Sequence, residues 1–257
     1  MDHQLKDKVA LITGGTTGMG YAAAALFLKH GTKVIIAGRR EEEGSRAAAE
    51  LKKISPDVRF IKADVSKSTE VERLVSETVN TFGRLDIAFN NAGIEGAFAK
   101  VEETTEEEFD QLMEINLKGV WLSCKYEIAQ FKRQNTGGAI VNTSSWLARG
   151  AFSGSGIYSA SKAALESLVR VMAVELGGLG IRVNNVNPGY IDTPMSDRFF
   201  PDPASKVPFE AQVPLKRFGN ASEVAELVVW LSGPASSYIT GESILVDGGL
   251  TISGQRS

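Results

Sequence analysis

Thr13-Gly14-Gly15-Thr16-Thr17-Gly18-Met19-Gly20 follows the apolar run Val9-Ala10-Leu11-Ile12 and precedes the Ala-rich segment Tyr21 to Lys29. Strand, glycine turn and helix in that order form a seat for a pyrophosphate. Glycine admits positive φ and the close approach of a phosphate, and a helix starting near Gly18 aims unpaired N–H groups and a partial positive charge at it. The spacing is Gly-x3-Gly-x-Gly, not the commoner Gly-x-Gly-x-x-Gly, so the turn alone is a weak signal and its setting decides.

Outward from this turn, short apolar runs alternate with segments of helical period, the pattern of βαβ units and a parallel sheet covered on both faces. Strands are expected at Val9 to Thr13, Lys33 to Ala37, Arg59 to Ala63, Ile87 to Asn90, Ala139 to Thr143, Arg182 to Val186 and Ser243 to Val246. Helices are expected at Gly20 to Lys29, Glu41 to Ile54, Ser68 to Phe82, Glu106 to Lys132, Tyr158 to Leu176 and Ser222 to Ser232. Thr105 and Glu108 fit a capping box, Gly31 stops one helix, and Asn220 or Ser222 caps the last. The predicted fold class is α/β, a doubly wound seven-stranded parallel sheet whose ligands bind beyond the carboxyl ends of the strands. No Pro/Gly/Ser-rich linker or repeat divides residues 1–257, which read as one domain.

A net charge of −3 gives no general attraction to nucleic acid or to anionic membranes. Cys124 is the only cysteine, so no intrachain disulfide forms, and its apolar neighbours Val120, Trp121 and Leu122 suit a buried, inert thiol. The start has neither a basic n-region nor an apolar h-region, and no apolar run reaches the ~18 residues of a membrane span. A cytoplasmic protein is expected. The only histidines are His3 and His30, which fit neither a Ser-His-Asp triad nor a metal cluster, so no catalytic metal is predicted.

A second constellation stands downstream: Tyr158-Ser159-Ala160-Ser161-Lys162, with Ser144 and Ser145 before it and Asn90-Asn91-Ala92-Gly93 earlier still. With Gly14, Gly18 and Gly20, Asn116 between Ile115 and Leu117, Ser145 thirteen residues before Tyr158, and Pro188-Gly189, the chain resembles the short-chain dehydrogenase/reductase family. The matches run in family order over nearly all 257 residues. The resemblance implies a Rossmann-type fold and a homo-oligomer, tetramer or dimer, usually joined through the helices near Glu106 to Lys132 and Tyr158 to Leu176. It also favours reading the aperiodic segment at about 195–213, with Phe199-Phe200-Pro201 and Val207-Pro208-Phe209, as a lid over the substrate instead of a disordered insertion.

Hydride transfer to a carbonyl leaves an alkoxide that must be protonated, so the site needs an acid beside the nicotinamide. Tyr158 is the candidate. Lys162, one helical turn away, supplies a cation expected to lower the phenol's pKa by favouring phenolate. The resemblance implies that Ser145 hydrogen-bonds the substrate oxygen, that Lys162 also holds the nicotinamide ribose, and that Asn116 helps to anchor a water linking Lys162 to solvent. Ser144 is the local rival of Ser145; adjacent residues of an extended segment face opposite ways, so the two do not reach the substrate equally.

For the dinucleotide, the candidates in the turn are Gly14, Thr16, Thr17, Gly18, Met19 and Gly20; the resemblance implies that Asn91, Ala92 and Gly93 line the cleft, the alternative being a plain turn after a strand. The resemblance adds Pro188, Gly189, Ile191 and Thr193 around the nicotinamide carboxamide, and Asp64 with Val65 bracketing the adenine, although Asp64 equally suits a cap. NAD-preferring relatives carry an acid where Gly38 stands; here Arg39 and Arg40 follow instead, suited to charge-assisted hydrogen bonds with a 2′-phosphate. NADP(H) is therefore favoured over NAD(H), the alternative being that these arginines pair with Glu41 to Glu43.

Pocket candidates are Ile94, Glu95, Ser145, Trp146, Ala148, Phe152, Tyr190, Met195, Phe199 and Phe200, mostly apolar and flanking the catalytic segments. The expected function is reversible reduction of a ketone or aldehyde by NADP(H). A rival is a 3-oxoacyl carrier-protein or acyl-CoA reductase. Its acidic partner needs basic residues near the cleft; in similar members of the family an Arg precedes the Glu that matches Glu175, whereas here Val174 fills that place, with only Lys132 and Arg133 nearby. A non-catalytic dinucleotide sensor is the remaining alternative; such proteins typically lose part of the Tyr/Lys/Ser set, which is complete here.

Overall fold

The computed structural model describes residues 4–252; His3 and the first residues of the chain lie outside that range. In order along the chain come β1 (Val9–Thr13), α1 (Gly18–Lys29), β2 (Lys33–Gly38), α2 (Glu41–Leu51), β3 (Val58–Lys62), α3 (Ser68–Phe82) and β4 (Ile87–Asn90). Then follow α4 (Glu106–Met113), α5 (Gly119–Gln134), β5 (Gly138–Thr143), α6 (Gly156–Leu176), β6 (Ile181–Pro188), β7 (Ile191–Asp192), α7 (Pro203–Glu210), β8 (Gly219–Asn220), α8 (Ala221–Ser232) and β9 (Ser243–Val246).

The main sheet has seven strands in the order β3-β2-β1-β4-β5-β6-β9, all paired in parallel. Successive strand residues point to opposite faces, and both faces are apolar because both are covered. Ile12, Ile36, Phe89 and Val141 pack against Phe27 of α1, Leu51 of α2 and Val228 of α8; Leu11, Ile35, Ala88 and Ile140 pack against Leu74 of α3, Phe131 of α5 and Val169 of α6. The strand order reverses between β1 and β4, which opens a crevice beyond the carboxyl ends of those two strands.

The seven expected strands are the seven of the main sheet, shifted by no more than two residues at an end; the two-residue β7 and β8, which pair with each other, were not expected. Gly31 follows α1 with φ +75°, and Thr105 and Glu108 close the reciprocal cap of α4. Glu223 accepts the Asn220 backbone N–H at 2.8 Å at the start of α8. Three expectations are corrected. The helix over Glu41 to Ile54 ends at Leu51, where Lys52 closes its last turn. The helix over Glu106 to Lys132 is interrupted by a wide π turn at Glu114–Lys118. The aperiodic stretch near 195–213 contains a helix, α7, started by Asp202 accepting from the Ser205 N–H at 2.9 Å.

A row of amides crosses the sheet near its carboxyl edge. Asn90, Asn142, Asn185 and Ser243 are register partners on β4, β5, β6 and β9. Asn90 Nδ2 donates to Asn142 Oδ1 at 3.1 Å, Asn142 Nδ2 to Asn185 Oδ1 at 3.1 Å, and Asn185 Nδ2 to Ser243 Oγ at 3.0 Å. Glu127 of α5 joins the row through Asn90 Nδ2 at 3.0 Å, and burial pushes its carboxyl up to about 8.

Candidate active site

The glycine turn closes on the Asn91 segment across the crevice. Asn91 Nδ2 donates to the Gly14 carbonyl at 3.0 Å, and the backbone N–H groups of Asn91 and Ala92 both reach Thr13 Oγ1 at 3.2 Å. Gly14 and Gly18 have φ of +62° and +54°, and a Cβ on Gly14 would stand 2.9 Å from Ala92 Cα. A Cβ on Gly20 would overlap the Gly14 carbonyl. The first turn of α1 holds no acid, and Thr17 makes no side-chain cap to it. Its leading N–H groups are thus available to an anion, the arrangement that a pyrophosphate requires. Thr193 faces Gly18 from the other wall, with its Cγ2 3.4 Å from where a Gly18 Cβ would lie.

At the end of β2, Arg39 and Arg40 separate. Arg40 donates to Glu43 Oε1 at 2.8 Å, and the same oxygen accepts Thr16 Oγ1 at 2.6 Å. Arg39 is exposed and, among the described residues, pairs with no acid. Pairing with the Glu41 to Glu43 run is therefore found for Arg40 and not for Arg39. The Asp64 carboxylate accepts from Ser66 N and Oγ in a local turn and does not cap α3, whose start at Ser68 has no side-chain cap, and Val65 packs with Val71, Ile115 and Leu122.

The π turn carries Asn116, which is wholly buried. Its Oδ1 accepts Ile94 N and its Nδ2 donates to Ile94 O, both at 2.8 Å, tying the helix to the loop after β4. A one-residue widening of a helix commonly marks a functional position because it re-aims a side chain without ending the helix.

Tyr158 and Lys162 stand on α6. Lys162 Nζ donates to the Thr143 carbonyl at 2.8 Å and lies 5.7 Å from the centre of the Tyr158 ring. The two serines divide as their alternation requires. Ser144 Oγ donates to the Lys162 carbonyl at 3.1 Å, whereas Ser145 Oγ accepts Leu147 N at 3.1 Å and is near enough to the Tyr158 phenol to lower its pKa. Behind Ser145, Glu166 accepts from Arg149 Nε on both oxygens, at 3.0 and 3.1 Å.

The electrostatics depart from expectation. Burial pushes the Tyr158 phenol up to about 12; the Ser145 hydroxyl opposes this and the nearby Glu95 charge adds to it. Burial also pushes Lys162 down to about 8. The expected lowering of the Tyr158 pKa by Lys162 is not found, because the ammonium is engaged with Thr143 O and desolvation of the phenolate is the larger effect.

Tyr158 and Ser145 open into a cavity of about 520 Å³ that also touches Pro188, Gly189, Ile191, Thr193 and Met19. Of the expected pocket residues, Glu95, Trp146, Phe152, Tyr190, Met195, Phe199 and Phe200 line it. Ile94 does not: it packs against the cluster of Val65, Ile115 and Leu122. Ala148 also lies outside the lining, in the short 3-10 turn Trp146–Ala148. Phe98 and Phe218 are lining residues that the sequence reading missed, and Phe209, read only as part of the lid segment, lines the cavity too. Their rings form one aromatic wall: Phe98 meets Phe199 at 5.0 Å, and Tyr190 meets Phe209 at 5.5 Å and Phe218 at 5.3 Å. The spacing of Phe209 from Phe200 within one segment was the available signal.

Among the described residues no cluster of His, Cys, Asp or Glu has a metal-binding arrangement, and no helix is long and apolar enough to cross a membrane. Cys124 is buried, and desolvation pushes its thiol well above the usual range.

Residues 14–251 match the family model described as Enoyl-(Acyl carrier protein) reductase. The chain is 40% identical over 251 residues to an uncharacterized oxidoreductase of Thermotoga maritima, covering 95% of this chain and 97% of that one. This chain belongs to the short-chain dehydrogenase/reductase family. It is also 36% identical over 248 residues to the 2,5-dichloro-2,5-cyclohexadiene-1,4-diol dehydrogenase of Sphingobium indicum, covering 96% of this chain and 98% of that one. The solved structure of levodione reductase superposes with a TM-score of 0.93 at 35% identity, covering 97% of this chain and all of that one. The family consists of oxidoreductases that bind NAD(P)(H) and act on small molecules.

Proposed function

We propose that the chain is an NADP(H)-dependent reductase of a ring-bearing ketone or aldehyde, working in reverse as an alcohol dehydrogenase. The supporting observation is the placing of Tyr158 and Ser145 on the wall of an aromatic cavity that also touches Met19 and Thr193 beside the glycine turn. A related diol dehydrogenase whose name specifies a cyclohexadiene ring and a related levodione reductase favour a cyclic substrate.

In this reading Gly14, Gly18, Gly20 and the first turn of α1 hold the pyrophosphate, and Arg39 meets the 2′-phosphate. Asn91, Ala92, Gly93, Pro188, Gly189 and Thr193 line the nicotinamide end. The bound dinucleotide supplies or accepts the hydride. Ser145 and Tyr158 both donate hydrogen bonds to the substrate oxygen, and Tyr158 gives its proton to the alkoxide as it forms. A phenol pushed up to about 12 stays protonated at neutral pH, which suits the acid of the reductive direction. Lys162, cationic below about 8, orients the ribose and favours return of a proton to Tyr158. Residues 1–257 act as one domain, with the segment at about 195–213 as the lid. The proposed setting is cytoplasmic, and the proposed assembly a tetramer or dimer through α4 to α6, where Trp121 and Val171 are exposed.

The deciding experiment is Tyr158→Phe, which keeps the ring and removes the proton donor. A loss of at least ~10²-fold in kcat for ring-ketone reduction, with NADPH binding retained, is expected; a variant keeping half the rate would overturn the role. The description of the matched family model favours a second reading, a carrier-protein thioester reductase. Against it, Val174 is 87% exposed and apolar where an acidic partner calls for a cation. A carrier-bound thioester preferred over the matching free ketone by more than ~10³-fold in kcat/KM would establish that second reading.

A further inference from the structure

Among the described residues, Glu95 is the only charged one lining the cavity. It sits in the loop after β4, and its Oε1 accepts from Arg198 Nη1 of the 195–213 segment at 2.6 Å. Its side chain is 13% exposed against 66% for Arg198, so the carboxylate belongs to the cavity wall and the guanidinium to the surface. Among the described residues, Oε2 receives no hydrogen bond. Phe98 and Phe199, from the same two segments, meet edge to face at 5.0 Å and flank the ion pair with apolar surface.

A carboxylate facing an apolar cavity is unfavourable unless its charge is compensated and its lone pairs are used. Arg198 compensates the charge but occupies one oxygen. The second remains a fixed acceptor in a space otherwise bounded by rings, aliphatic side chains, hydroxyls and the thioethers of Met19 and Met195. A ligand hydroxyl or ammonium satisfies it; a bare hydrocarbon ring leaves it unpaired, and a carboxylate is repelled.

Taking the proposed ketone reductase as its basis, we propose that Glu95 is a specificity-determining residue. It selects ring ketones and alcohols that carry a second hydrogen-bond donor away from the reacting oxygen, and it rejects anionic ones. Arg198 sets the strength of that selection by neutralising the carboxylate and fixing which oxygen is left free.

The test uses two variants whose effects differ in sign. In Glu95→Gln, Arg198 still holds the side-chain oxygen, which turns the amide nitrogen to the cavity and converts an acceptor into a donor. In Arg198→Ala the carboxylate keeps its full charge. Cyclohexanone, 4-hydroxycyclohexanone and 4-oxocyclohexanecarboxylate serve as probes. Each is measured twice, as Kd from quenching of tryptophan fluorescence without dinucleotide and as kcat/KM with NADPH. The hydroxyl-bearing probe is expected to be favoured over cyclohexanone by about tenfold, the scale of one charge-assisted hydrogen bond. The ratio rises in Arg198→Ala and falls several-fold in Glu95→Gln, where the hydroxyl keeps only a neutral hydrogen bond from the amide and the carboxylate probe gains. Ratios unchanged in both variants, or shifted the same way in both, would overturn the assignment, because an ion pair that merely fastens the lid is lost equally from either side. If the Kd pattern appears while no ketone is reduced, the reductase reading falls and the selectivity of Glu95 stands; if ketones are reduced with flat ratios, the reverse holds.

Discussion

The side-chain amide of Asn187 donates to two acceptors at once, Glu166 Oε1 at 2.6 Å and the carbonyl of Ser145 at 3.1 Å. Asn187 is wholly buried at the end of β6, and Glu166 is itself held by Arg149. The backbone of Ser145 is thereby fixed from behind, on the side away from Tyr158. Asn187→Ala is expected to lower kcat by about tenfold with KM for NADPH nearly unchanged, since a small displacement of a positioning group is costly in rate. Glu166→Ala should behave alike. Glu166→Gln, which keeps an acceptor for Asn187, should recover most of the rate; equal losses in the Ala and Gln variants would assign Glu166 a purely structural role.

The pH dependence of reduction follows from Lys162. Its folded pKa is lowered to about 8, so the cation present at neutral pH is lost as pH rises through about 8 and not near the ordinary lysine value. Tyr158, pushed up to about 12, stays protonated over that range. The kcat/KM profile with NADPH should therefore fall on its alkaline side with a midpoint near 8, and Lys162→Arg should move that limb upward. A limb unmoved by the Arg variant would assign it to another group.

Cofactor choice should turn on Gly38 and Arg39. An added Cβ at Gly38 lies 3.1 Å from Thr16 Cγ2, close enough to need a small side-chain shift but with no positive φ to forbid it. Gly38→Asp should move the NADPH/NADH ratio of kcat/KM toward NADH, by placing a like charge at the 2′-phosphate. Arg39→Ala should weaken NADPH more than NADH. A wild type that already prefers NADH would refute the assignment.

Stability should carry the mark of Glu127. Its pKa is raised from about 4.5 in the unfolded chain to about 8 in the fold, so the folded state binds the extra proton between those values. The stabilisation is whole below about 4.5 and is lost as pH rises through about 8. Glu127 Oε1 is buried without a partner, which a proton on the carboxyl would relieve. Glu127→Gln should flatten the decline of Tm over this window; a wild-type Tm constant from pH 5 to 8 would contradict the buried protonated carboxyl.

The strands were legible because both faces of the sheet are covered, so each strand reads as a nearly unbroken apolar run bounded by glycine or polar residues. The glycine turn, Tyr158, Lys162 and the Ser144-Ser145 pair stood out through the resemblance to the family, their spacing alone being a weak signal, and the alternation of an extended chain separated the two serines. Four features were not legible. The amide row from Asn90 to Ser243 depends on strand register, which no single segment records. The break at Asn116 is a change of phase inside 106–118, a run with no Gly or Pro to mark it. The pKa values of Tyr158 and Lys162 depend on how deeply each is desolvated, and sequence spacing supplied only their proximity. Phe98 and Phe218 lie in the chain far from the segment they cover, so their place in the aromatic wall is a property of the fold.

The wide turn at Glu114–Lys118 also has a phase. Each residue of a regular helix advances the chain by roughly 100° around its axis, so one residue spent on widening rotates everything before it by about that angle relative to everything after. The inward stripe of α4, marked by Leu112, and that of α5, marked by Val120, Cys124 and Phe131, therefore obey separate clocks. Deleting a single residue from this turn would restore an unbroken helix of ordinary pitch while swinging either Leu112 or Asn116 out of place. The extra residue lets one helix serve two mechanical addresses, a packing face on α4 and an anchor for the loop that begins at Ile94.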